Sequence, residues 1–150
     1  MILEGLNHDE KELLYNAIPT IGLLVGGADG NMDAEETAWA QRLTEMRSFS
    51  GEKMLRPFYE VIEQSYEARL KHVSEGLPSE KAARTAALST ELAKVNDILP
   101  KLDHKVAHHL YQSFVTYSES MAKATGGILG FASISAEEQK VIALPMIHKV

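Results

Sequence analysis

The residues best placed to do chemistry lie in the stretch VGGADGNMDAEE, positions 25 to 36, where four carboxylates and three glycines share twelve positions. Asp29, Asn31, Asp33 and Glu36 are hard oxygen donors, a set that suits Ca²⁺, Mg²⁺ or Mn²⁺ and not a soft metal. Asp29, Asn31 and Asp33 stand at the first, third and fifth places of a calcium-binding EF-hand loop. That pattern fails further on, where Ala34 replaces the required glycine and Ala40 the required bidentate glutamate. A second explanation competes for the same residues. Asp33 with Glu36 three positions on is a capping box, in which each side chain accepts from the other residue's backbone N–H, and Gly30 suits a turn. On that account only Asp29 and Asn31 are left over. Electrostatics favour neither: the start of the following helix attracts carboxylates but repels a cation, while the carbonyls ending the preceding helix attract one.

Other candidates are weaker. His104 and His108 have the i, i+4 spacing that can hold Zn²⁺, but helical phase puts them opposite the apolar stripe and no third ligand accompanies them. His109 falls on the flank of that stripe and reads as a packing residue. GGILGF, 126 to 131, lacks the Gly-Lys-Ser/Thr ending of a phosphate loop; its Ile128, Leu129 and Phe131 either fold onto the core or form an adhesive surface patch. No nucleophile elbow, dinucleotide fingerprint or acid–base carboxylate pair is present, so no catalytic residue is assigned and the chain reads as non-enzymatic.

The elements that must position the acidic stretch read as helices throughout, giving an all-α bundle of six to seven helices in one domain spanning 1–150. Asn7 with Glu10 opens the first, which carries Leu14, Ile18, Ile21 and Val25 and is interrupted by Pro19. The second follows Asp33, with Trp39, Leu43 and Met46 as its buried face, and ends at SFSG, 48 to 51. A third is predicted from about Ser50 to His72 with a kink or break at Pro57. EGLPSE, 75 to 80, separates the halves 1–75 and 76–150. A fourth helix is predicted over 78–98, closed by Leu99-Pro100. A fifth begins near Leu102, with Leu102, Val106, Leu110, Phe114, Tyr117 and Met121 as its stripe and Gly126-Gly127 as its stop. The last starts after Ser135.

The chain echoes itself: GGADGNMDAEE (26–36) aligns with GGILGFASISAEE (126–138), each a Gly-Gly pair followed by a capping box, the second being Ser135 with Glu138. An approximate internal two-fold repeat follows from this. The same two segments resemble the TerB-like family of tellurite-resistance proteins, the specific match being ADGNMDAEE and its degenerate second copy. That resemblance implies an all-helical, non-enzymatic domain of bacterial stress-associated assemblies, with Asp29, Asp33 and Glu36 as donors to a divalent ion. Phe131 stands where an acidic residue would be wanted, so the second copy departs from the pattern.

Composition sets the remaining bounds. At 45% hydrophobic and 24% charged the chain is of the folded, globular class. The absence of cysteine removes disulfides and thiolate chemistry. A formal charge of −6 argues against nucleic acid as a partner. The start MILEGLNHDEKELL lacks the cationic region of a secretory leader and nothing reaches the length of a membrane span, so a cytoplasmic location is expected, with a protein partner and a homodimer as the compatible associations.

Overall fold

The computed structural model describes residues 2–26, 33–133 and 136–150, and of these gives backbone alone for 125–133 and 136–138. Among the described residues there are seven α-helices and no strand: α1 His8–Gly26, α2 Ala34–Ser50, α3 Arg56–Gln64, α4 Tyr66–Ser74, α5 Lys81–Ala93, α6 His104–Ser133 and α7 Ala136–Ile142. No helix is long and apolar enough to cross a membrane among them.

α1 is the axis of the bundle and touches all six other helices. Its second half explains why: from Leu14 to Leu24 every residue but Asn16 is buried, a helix apolar all round and therefore a core helix. Its start is the predicted box, with Asn7 Oδ1 accepting from the Glu10 N–H at 2.8 Å and Glu10 Oε1 accepting from the Asn7 N–H at 3.0 Å. Lys101 Nζ binds the other Glu10 oxygen, and this bond, ahead of the one to Asn7, holds the Glu10 carboxyl below its usual range. Contrary to the sequence expectation, α1 is not interrupted at Pro19. Surrounded on all sides, the helix continues through one missing N–H, and the next residue, Thr20, back-bonds to the Asn16 carbonyl at 2.7 Å.

α6 buries the predicted stripe, with Leu110, Phe114, Tyr117 and Met121 inaccessible to solvent. It does not stop at Gly126-Gly127 but runs to Ser133, thirty residues and about 45 Å at the α-helical rise. A helical glycine costs only about 1 kcal/mol relative to alanine, and it ends a helix only when it adopts the left-handed cap. The burial of Ile128, Leu129 and Phe131, and the capping box at Ser135 and Glu138, lie outside the described residues. α7 begins at Ala136, as expected.

The middle of the chain is more broken than its periodicity suggests. α2 keeps Ser50 and stops at Gly51, a 3₁₀ turn covers Lys53–Leu55, and α3 opens with Pro57 in its first turn, where the missing N–H costs nothing. A second break, at Ser65, separates α3 from α4; the Ser65 hydroxyl donates to the Val61 carbonyl at 2.7 Å, offering the backbone an alternative to the helical ladder. α5 closes at Ala93 rather than Ile98, and 3₁₀ turns at Lys94–Asp97 and Leu99–Lys101 follow, since Pro100 cannot donate into an α-helical ladder. Asn96, in the first of these turns, instead clamps the last segment of the chain: its amide donates to the Met146 carbonyl at 2.9 Å and accepts from the His148 N–H at 2.8 Å.

Candidate functional site

Of the four predicted metal donors, Asp33 and Glu36 are described and Asp29 and Asn31 lie outside the described residues. Asp33 is the N-cap of α2, and the box is reciprocal: Asp33 Oδ1 accepts from the Glu36 N–H at 2.7 Å while Glu36 Oε1 accepts from the Asp33 N–H at 3.0 Å. Each carboxylate therefore already satisfies a backbone donor that would otherwise face water alone. Among the described residues no group of three or more histidine or carboxylate side chains is gathered as a metal site.

The histidine pair divides. His104 is exposed, but His108 is half-buried and its Nδ1 donates to the Val150 carbonyl at 2.9 Å, so the expectation that both face solvent is corrected. The last segment of the chain packs back over this part of α6, which helical phase alone does not reveal.

The α2 helix is turned differently from the predicted register. Its buried residues are Ala40, Leu43 and Thr44, while Trp39 is half-buried and Met46 lies 37% exposed. One step of about 100° separates the two arrangements, and the reason is Arg47. Hydropathy assigns an arginine to solvent, yet Arg47 points inward. Its Nη1 donates to the Ser113 carbonyl at 3.0 Å, to Ser113 Oγ at 3.1 Å and to the Tyr59 hydroxyl at 3.2 Å, and its Nη2 to Thr116 Oγ1 at 3.1 Å. The guanidinium also lies over the rings of Tyr59 and Tyr117, 5.6 and 5.4 Å from their centroids. The Tyr59 and Ser113 hydroxyls are themselves bonded. One turn deeper, the Tyr117 hydroxyl donates to the Ala40 carbonyl at 3.0 Å and meets Thr44 Oγ1 at 3.1 Å. This polar spine joins α2, α3 and α6. Burial raises the Tyr59 phenol, against which Arg47 pulls, and raises that of Tyr117 well above its ordinary value. It pushes Tyr66 up to about 12; the Tyr66 hydroxyl interacts electrostatically with Tyr117 but lacks hydrogen-bond geometry with it.

With α2 locked in this rotation, its outer side forms one wall of a cleft of about 490 Å³ lined by Gln41 and Glu45 from α2 and by Glu63 to Ala68 across the α3–α4 break. The break is held in place by Arg69, whose Nε donates to Ser65 Oγ at 2.7 Å and whose Nη1 bonds to Asn16 Oδ1 at 3.0 Å and to Glu12, above the Tyr15 ring. The side chains of Glu45, Glu63 and Glu67 form no ion pair or hydrogen bond among the described residues. Past Glu45, Met46 and Phe49 are the two large hydrophobic side chains that stand exposed among the described residues, Phe49 at 60%.

Set against known protein families, curated proteins and solved structures, the chain matches none. What it does must therefore be argued from the α2 surface itself. The cleft offers carboxylates, two glutamines and a serine, with no nucleophile–base pair and no gathered metal donors among the described residues. Sequence reading missed this surface, because its walls come from positions 41–45 and 63–68 and meet only through the α2–α3 hairpin; the sole local signal is an aromatic at position 49 in an otherwise polar SFSG helix end.

Proposed function

We propose that the protein is a non-enzymatic helical domain that works by binding another protein. The observation that carries this reading is Phe49, a large aromatic 60% exposed at the end of a helix whose inner face is rigidly fixed. Aromatic residues and methionine are enriched at protein interfaces, and Phe49 stands near Met46, the other large apolar side chain exposed among the described residues. The capping box at Asp33 and Glu36 supports the view that the acidic stretch serves first to start α2. The TerB-like resemblance of that stretch supports the same class of function, a stress-associated assembly component. A divalent cation held by Asp29, Asn31, Asp33 and Glu36 is the second reading, supported by the hard-oxygen character of the donors.

Cross-linking of the purified domain to its captured partner, followed by reconstitution of the pair from purified components, tests the first reading. A saturable binary complex is expected. Substrate turnover by the purified domain, or failure of every captured protein to reconstitute a complex, would overturn it.

A further inference from the structure

We propose that the outer face of α2 docks a basic amphipathic helix presented by a protein partner. This rests on the reading of the domain as a binding module and adds the chemistry of what is bound. Gln41, Glu45 and Phe49 are spaced i, i+4, i+8, so they lie along one stripe of α2, with Met46 beside it. The apolar end of the stripe, Met46 and Phe49, is unpartnered, and its other end opens into the cleft where Glu63 and Glu67 face it from α3 and α4. Three carboxylates supplied by three different helices line the cleft, with no cation among the lining residues and no ion pair to them among the described residues. Of the neighbouring cations, Arg47 is turned into the core and Arg56 Nε binds the Gly51 carbonyl at 3.1 Å, while Arg42 stands exposed on α2 and is not part of the cleft lining. Charge complementarity thus selects lysine or arginine side chains for the cleft, and the exposed aromatic selects an apolar residue about one helical turn away. A segment that offers both at that spacing is an amphipathic helix with a basic edge. A cleft of about 490 Å³ takes side chains rather than a whole helix, so the partner lies across α2 and lowers its basic edge into the opening.

A dye-labelled synthetic peptide with Leu and Lys at i, i+3, i+4 spacing, an acidic counterpart and an uncharged amphipathic one are titrated by anisotropy against the whole chain, and amide chemical shifts locate any binding. The basic peptide alone is expected to bind saturably, with shifts on α2 and around 63–68. Phe49→Ala and the triple variant Glu45→Gln, Glu63→Gln, Glu67→Gln should each weaken it about tenfold or more, as loss of an interface anchor does. A control triple of equal charge, Glu4→Gln, Glu75→Gln, Glu91→Gln, should leave binding unchanged. Equal loss in the control triple would mean diffuse attraction to an acidic protein and overturns the proposal. So does self-association of the wild type that Phe49→Ala abolishes, which would make a second copy the occupant. Saturable binding of any peptide mapped to another face overturns this inference but leaves the binding-module reading standing. No saturable binding by the whole panel counts against both.

Discussion

Arg47 offers the sharpest test of how this fold is held. Its guanidinium has three acceptors on Nη1 within 3.0–3.2 Å and one on Nη2 at 3.1 Å, and since Nη1 carries two hydrogens the four contacts amount to about three hydrogen bonds. A charge-assisted bond nets about 1.5 kcal/mol at the low end, and each tyrosine face adds about 0.5 kcal/mol, for a gross of about 5.5 kcal/mol. The full sum is not lost on truncation, because Tyr59 and Ser113 still satisfy each other and the Ser113 carbonyl belongs to α6. Arg47→Ala should therefore cost about 3 kcal/mol. Arg47→Met keeps the aliphatic stem and its packing and should cost about 2 kcal/mol, whereas Arg47→Lys, a point donor in place of a planar fork, should cost about 1 kcal/mol. Urea unfolding reads this directly. With a slope of about 1.5 kcal/mol per molar, typical of a domain this size, the alanine variant unfolds about 2 M earlier at unchanged slope. An Arg47→Met variant as stable as the wild type would refute the reasoning, since burial of the stem would then account for everything and the hydrogen bonds for nothing.

Asp33→Ala should cost about 1 kcal/mol in urea unfolding with or without added metal, because it removes an N-cap oxygen. For the cation reading, isothermal titration with Mn²⁺ or Ca²⁺ should show saturable binding by the wild type that Asp29→Ala removes; no binding at millimolar ion leaves the stretch as a cap. Tyr66→Phe should be neutral or stabilise by about 1 kcal/mol in the same unfolding assay, since a buried hydroxyl without a hydrogen bond has already lost its water. A loss above about 1 kcal/mol would show a bond that the geometry lacks. Tyr59, Tyr66 and Tyr117 all have phenol pKa values raised above 10 by burial, Tyr66 to about 12. The folded state therefore holds these protons more tightly than the unfolded chain. Their contribution to stability is full below pH 10 and is lost as pH rises from 10 through 12, so phenolate absorbance and helical circular dichroism should change together in that window. Tyrosines that ionise well before the helices melt would contradict it.

The parts of the fold legible in the sequence are those set by local chemistry. The boxes at Asn7–Glu10 and Asp33–Glu36 need only residues three apart, and the α6 stripe needs only the helical period, so all three can be read from the chain. The misplaced features depend on what surrounds them. Gly126-Gly127 and Pro19 carry real but small or local penalties, and each sits in a helix that continues past them. Ser65 breaks a helix because its hydroxyl competes for the Val61 carbonyl and Arg69 rewards the result, a three-residue arrangement with no linear signature. Helical spacing puts Trp39 and Met46 on the buried face with Leu43, and says nothing of Arg47. The rotation of α2 leaves Trp39 half-buried against the core, exposes Met46 and turns Arg47 inward, because Ser113, Thr116 and Tyr117 on α6, together with Tyr59 on α3, offer oxygens and ring faces that an arginine can fill and a methionine cannot.

That rotation links the inside of the molecule to its surface. Had Trp39, Leu43 and Met46 formed the buried face, Met46 would be covered and Arg47 would stand in solvent; with Ala40, Leu43, Thr44 and Arg47 inward, Met46 and Phe49 are exposed and Gln41 and Glu45 overlook the α3–α4 break. The polar spine thus does for the recognition surface what a packed core does for a rigid site: it fixes the direction in which each outer side chain points before any partner arrives, and so reduces the ordering cost of binding. Loss of Arg47 should then act twice, lowering stability and loosening the α2 stripe. A conservative repair of the spine that restores stability by another route, without restoring α2's rotation, should leave binding at Phe49 weakened. This outcome separates a surface built by the spine from one that merely lies above it.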